Sequence, residues 1–137
     1  MACRTILACG ACFYLNGVII LAAECQDGIG KFKGWLQEAR SPEQVIERFK
    51  SEGFTSEHSG KAMMWARALV RHRIIIVTDG ISEEDLKSMF FERAASVEHA
   101  LKMAGKNPGD NRKVLVMPYA TDLIPVLRNS LNPKGTK

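Results

Sequence analysis

The sequence has no apolar run able to cross a bilayer. Its longest, residues 18–23, is six residues long, whereas a spanning helix needs about 20. It also lacks a convincing leader: residues 5–15 are apolar, but one arginine precedes them and no small-residue cleavage site follows. Cytoplasm is therefore the expected compartment, with no membrane partner. There is no phosphate loop either, because Gly28-Ile-Gly30 lacks the third glycine of a dinucleotide fingerprint and no Gly-Lys-Ser/Thr follows. Nor is there a nucleophile–histidine–acid set. His58, His72 and His99 fall on different predicted helices; His72 and His99 read as solvent-facing, and only His58, at a helix start near Lys61, invites a chemical role. Positive charge is not concentrated. The net +4 includes Arg128, Lys134 and Lys137 in an acid-free last ten residues, so the remainder carries only +1 (4 − 3). Elsewhere the bases alternate with acids as on solvated helix faces, which argues against a nucleic-acid partner.

Four cysteines, Cys3, Cys9, Cys12 and Cys25, crowd into one end and read as reduced, buried thiols, not a disulfide framework. Cys9-Gly-Ala-Cys12 has redox and zinc spacing. A redox pair should follow a strand and open a helix, and this one falls inside a predicted helix; a zinc site would need a second knuckle that is absent. Packing by small apolar residues competes with a thiol function, and native-state labelling of Cys9 and Cys12 separates the two.

At 137 residues the chain fits one domain, expected over 1–131, with residues 132–137 as a flexible tail. Residues 2–14 predict a helix, stopped at Asn16-Gly17. The first strand is expected at 18–23, buried on both faces. Residues 31–40 predict a short helix carrying Phe32, Trp35 and Leu36. Ser41-Pro42 opens another with Val45, Ile46 and Phe49 inward, closed by Gly53. Residues 56–71 give the clearest helical stripe, Ala62, Trp65, Ala66 and Leu69. A second strand is expected at 74–77. Ser82 caps a helix with Leu86, Met89 and Phe90 inward, and Ser96 caps one with Val97, Ala100, Leu101 and Ala104 inward. A turn at 107–110, a third strand at 114–117 and a final helical turn with Leu123, Ile124 and Leu127 complete the chain. A fourth short strand is possible near 90–94.

Strands separated by helices, without a hairpin signal, imply an α/β fold: a small three-layer sandwich around a mainly parallel sheet of 3–4 strands, flanked by helices. In such sheets ligands gather at the carboxyl ends of the strands. The polar residues expected on that rim are Glu24 and Asp27 with Gly28 and Gly30, then Thr78 and Asp79, then Tyr119, Thr121 and Asp122. Asp27 reads first as holding its own loop through backbone N–H groups or capping the next helix, with direct contact to a ligand as the alternative.

The segment Gly17-Val-Ile-Ile-Leu-Ala-Ala-Glu-Cys-Gln-Asp-Gly-Ile-Gly30 closely resembles part of the carboxyl-terminal half of nickel-dependent lactate racemase-like proteins. The likeness continues through Ser41-Pro-Glu-Gln, Phe49, Gly53-Phe54, Lys61-Ala62, Ala66-Arg67, residues 74–79 and residues 114–118. It thus covers nearly the whole chain from about residue 16. The first block is the specific one. The resemblance implies a domain that closes over a nickel-pincer nucleotide held by an N-terminal half absent from this chain. Racemisation of a 2-hydroxy acid there is understood as hydride removal to the cofactor and return to either face. The isolated chain is then expected to bind no cofactor alone and to be inactive. Its partners would be that N-terminal domain or chain, a small 2-hydroxy acid and, through the first helix, a second copy. The family pattern places Gln-x-x-Lys before the glycine-led strand; here Met1 and Arg4 fall at those places. Arg4 is thereby implied for the substrate carboxylate, although arginine and lysine differ in geometry. Lys61 is the second candidate substrate contact, facing either the cleft or simply water, and Glu24, Asp27, Gly28, Gly30, Asp79 and Tyr119 on the strand-exit rim are expected to line the cleft. The competing reading is an orphan α/β module binding a small anion or a protein through the same edge.

Overall fold

A computed structural model describes residues 17–105, 114–120 and 122. The expected helix at 2–14, the turn at 107–110, the final helical turn, the tail, Arg4 and the Cys9/Cys12 pair lie outside the described residues.

The elements run β1 (Val18–Ala22), α1 (Lys33–Gln37), α2 (Pro42–Glu52), α3 (Glu57–Arg71), β2 (Arg73–Val77), α4 (Glu83–Ser88), β3 (Glu92–Ala94) and α5 (Val97–Met103). The three strands form one parallel sheet in the order β1-β2-β3. Ile19 lies beside Ile74, and Val77 lies between Ala22 and Ala94.

Helix starts follow their capping residues. The hydroxyl of Ser41 accepts from the Gln44 N–H ahead of Pro42, Ser82 accepts from Asp85, and Ser96 accepts from His99. At α3, Ser56 and Ser59 satisfy each other's backbone N–H in a reciprocal box. Gly53, at φ +72°, ends α2 in a conformation other residues resist.

Alternation along the strands sorts the core into two faces. Ile19, Leu21, Ile74 and Ile76 point to the face covered by α1–α4, where they meet Leu36, Val45, Trp65, Leu86, Met89 and Phe91. Trp65 is the centre of this layer, stacked on Phe32 at 6.4 Å and edge-on to Phe91 at 5.0 Å. Val18, Ile20, Ile75, Val77 and Ala94 point to the other face, which α5 covers through Ala100 and Met103. Arg73 fastens that thinner layer. Its guanidinium forms a fork with Glu92 (2.6 and 2.7 Å) and donates to the Met103 carbonyl, one of the acceptors left over at the end of α5.

Several expectations change. Among the described residues the sheet has three strands, and the third is the short one at Glu92–Ala94, with no ladder to residues 114–117. β2, not β1, is buried on both faces; β1 is an edge strand, so only Ile19 is fully covered and Ala22 is exposed. Phe90 adopts φ +68° and turns the chain, which leaves Phe91 as the buried ring. Val97 is exposed, and Leu101 and Ala104 are only half-buried, because α5 turns chiefly Ala100 inward. His72 is buried at the end of α3 instead of facing solvent, with no hydrogen-bond partner for either ring nitrogen among the described residues.

Candidate functional site

The loops that leave β1 and β2 are bound to each other. The β1 ladder extends one residue past Ala22, where the Ala23 N–H donates to the Val77 carbonyl at 3.1 Å. The buried Thr78 hydroxyl then donates to the Glu24 carbonyl at 2.9 Å and accepts from the Gly80 N–H at 3.1 Å. Gly80 lies so close beneath the β1 exit that an added Cβ would overlap the Glu24 and Cys25 carbonyl oxygens, 2.5 Å from the latter. Arg93 of β3 joins from the other side, donating to the Thr78 carbonyl at 3.2 Å with Asp79 Oδ1 at 3.6 Å. All three strand ends thus contribute to one ledge.

An open cleft of about 690 Å³ lies over this ledge, lined by Ala22–Ala23, Glu24, Gln26, Val77–Gly80 and Ala95. Glu24 accepts from the Gln26 amide at 2.8 Å, and Asp79 holds its carboxylate fully in solvent. The cleft therefore offers two exposed carboxylates over a rigid backbone floor, an arrangement suited to accepting hydrogen bonds from a polar visitor.

The structure brings Glu24 and Asp79 to this cleft. Asp27, Gly28 and Gly30 lie in the same β1 exit loop but do not line it. A tight turn there, with the Gly28 N–H donating to the Cys25 carbonyl at 2.8 Å, uses left-handed backbone at Cys25 (φ +54°), Gly28 (+66°) and Gly30 (+80°). The Asp27 carboxylate makes no bond among the described residues, and α1 begins at Phe32 without a side-chain cap. Cys25, read as buried, is half-buried and free. Tyr119 is exposed, with φ +55°, and does not line the cleft. Lys61 lies on α3, where its ammonium pairs with Glu57 one turn earlier and holds that carboxyl below its usual range by hydrogen bond first and charge second. His58 is half-buried at the start of α3, and His99 is exposed. Two rim features escaped the sequence reading. Arg93 sits in a charged stretch that looks merely solvated, and the demand on Gly80 comes from a distant loop.

No group of three or more His, Cys, Asp or Glu among the described residues could hold a metal ion, and no helix among them is long and apolar enough to cross a membrane.

A family model for the lactate racemase C-terminal domain matches residues 1–124. The chain belongs to that family. It is similar to the lactate racemase of Thermoanaerobacterium thermosaccharolyticum, 37% identical over 113 residues that make up 80% of this chain and 26% of that protein. It is also similar to the lactate racemase of Lactiplantibacillus plantarum, at 29% identity over 80% of this chain and 27% of that protein. The fold matches the lactate racemase apoprotein structure from T. thermosaccharolyticum with a TM-score of 0.69 at 36% identity, covering 74% of this chain and 25% of that one. The family member described here therefore spans about a quarter of the length of the relatives it matches, and those relatives carry this domain joined to an N-terminal part.

Proposed function

We propose that this domain covers the substrate side of a lactate racemase-like active site in the cytoplasm. In this reading it supports racemisation of a 2-hydroxy acid while the nickel-pincer nucleotide is held elsewhere, and it is inactive alone. What supports the reading is the ledge: three strand ends tied into one open, carboxylate-bearing cleft, on a chain a quarter the length of its relatives. In this reading the N-terminal half would hold the cofactor, which would supply hydride acceptance and return there.

The contribution of this chain is to bind, orient and exclude water. Glu24 and Asp79 accept hydrogen bonds from the substrate hydroxyl or from the facing domain. The Asp27-Gly28 turn lets backbone approach closely, with Gly30 and Tyr119 at the margins. Arg4 and Lys61 serve the substrate carboxylate, with Lys61 exchanging its Glu57 partner on assembly.

The test is complementation. Purified chain is added to the cofactor-loaded N-terminal half of a lactate racemase, and interconversion of D- and L-lactate is followed by chiral chromatography. Racemisation should rise with added chain, and the chain alone should give none. Absence of both a complex and a rate change would count against the proposal and favour a module that binds some other small anion or protein.

A further inference from the structure

We propose that residues 114–117 dock on the free edge of β1 as a fourth parallel strand, giving the sheet the order 4-1-2-3. The argument begins with which face each helix covers. The connections β1→β2 and β2→β3 both pass over the face of Ile19, Ile74 and Ile76, and both step in the same direction across the sheet. α5, which follows β3, lies on the opposite face against Ile75 and Ala94. Crossovers between parallel strands are right-handed in about 98% of cases. Changing face while keeping that hand reverses the direction of travel. The strand after α5 must therefore move back past β3 and β2, and the first open position is outside β1. α5 makes that traverse, because it touches β1, β2 and β3 alike.

The segment suits the position. Residues 114–117 read Val-Leu-Val-Met, with Val114, Leu115 and Val116 exposed, while Met117 already packs against the layer that contains Ile19. Period-two alternation puts Leu115 on the Met117 side and Val114 and Val116 on the side of Val18 and Ile20, so both rows of β1 gain apolar neighbours. Reach is sufficient: the nine steps from Gly105 to Val114 extend up to about 30 Å, against three inter-strand spacings of about 5 Å each from β3 to the outside of β1. β1 has no strand on its outer side among the described residues, and an open edge of this kind is a template for pairing.

The new order creates a point where the chain turns from one direction across the sheet to the other, between β1 and residues 114–117. Open α/β sheets bind ligands at that crevice. The two exits flanking it carry left-handed non-glycine residues, Cys25 at φ +54° and Tyr119 at +55°. Docking brings Tyr119 and the Cys25–Gly28 turn to the same rim as Glu24 and Asp79. This last consequence rests on the reading of the rim as the substrate side; the strand placement does not.

The test therefore needs no activity. Amide hydrogen exchange on the intact chain should show at least 100-fold slowing within residues 114–117, alongside the protected amides of Ile74–Ile76. Exchange at unfolded-peptide rates there, with β2 still protected, overturns the proposal. Cross-linking fixes the edge. With Cys3, Cys9, Cys12 and Cys25 replaced by serine, Ile20→Cys should cross-link to Val116→Cys through a short bismaleimide, and Ala94→Cys should not. Preferential linkage to Ala94→Cys puts the strand outside β3 and sinks the 4-1-2-3 order. If the quadruple-serine chain fails to fold, the exchange pattern of the native chain decides alone.

Discussion

A single methyl group decides much at Gly80. The backbone of the β1 exit lies against its α-carbon, so Gly80→Ala must push apart two loops that Thr78 joins. Overpacking of this kind costs about 1–3 kcal/mol. Gly28→Ala meets nothing within 4 Å and suffers only from its φ of +66°, a penalty of about 1 kcal/mol. Urea unfolding of the two variants should therefore rank Gly80→Ala as the more damaging; the reverse order would mean that the loops are not in contact. Sequence placed Thr78 and Asp79 at a strand exit but could not say that Thr78 bonds to a carbonyl 54 positions away. Arg93 was illegible for the same reason, since its acceptors are a distant backbone oxygen and the Asp79 carboxylate. His72 read as solvent-facing because a polar side chain ending a helix between two arginines looks exposed; the packing of the helix end is tertiary information.

At the scale of elements, what was legible was local chemistry. Ser41, Ser82 and Ser96 each stand at the cap where short-range rules put them, and Gly53 stops α2. The strands divide differently. β2 is apolar and central, so its own composition betrays it. β3 is Glu-Arg-Ala, with little strand character of its own; it is held by its neighbours, including the fork between Arg73 and Glu92. That fork makes stability depend on pH. The Arg73 hydrogen bonds, opposed by partial burial and aided by the arginine's charge, hold the Glu92 carboxyl below its ordinary 4.5. The folded state then binds that proton less readily than the unfolded chain does. The contribution is complete above the ordinary value and fades as pH falls through the lowered one. Both side chains are more than a third exposed, which limits the effect to about 0.5–1 kcal/mol. Glu92→Gln should therefore trail the native chain at pH 7 and by a smaller gap at pH 3, as read by denaturant midpoints. A gap that stays the same at both pH values would show that the fork does not titrate.

For the molecule as a whole, the family, the α/β class and a rim at the strand ends were all within reach of the sequence, because the glycine-led first block is specific and strand–helix alternation leaves few topologies. The membership of that rim was not, since it depends on which exit loops the fold brings side by side. One substitution separates rim chemistry from scaffold. Asp79 extends fully into solvent and approaches Arg93 at 3.6 Å, so Asp79→Asn should shift the unfolding free energy by no more than about 0.5 kcal/mol. In the complementation assay the same variant should lower racemisation at least tenfold. Full activity in the variant would remove Asp79 from the proposed site and leave the family assignment untouched.

The hydrogen bonds through Thr78, with Gly80 wedged beneath, mean that the two exit loops cannot bend independently. They travel as one jaw. Whatever closes against them must shape itself to a stiff edge, so the give in any assembly falls to the visiting surface.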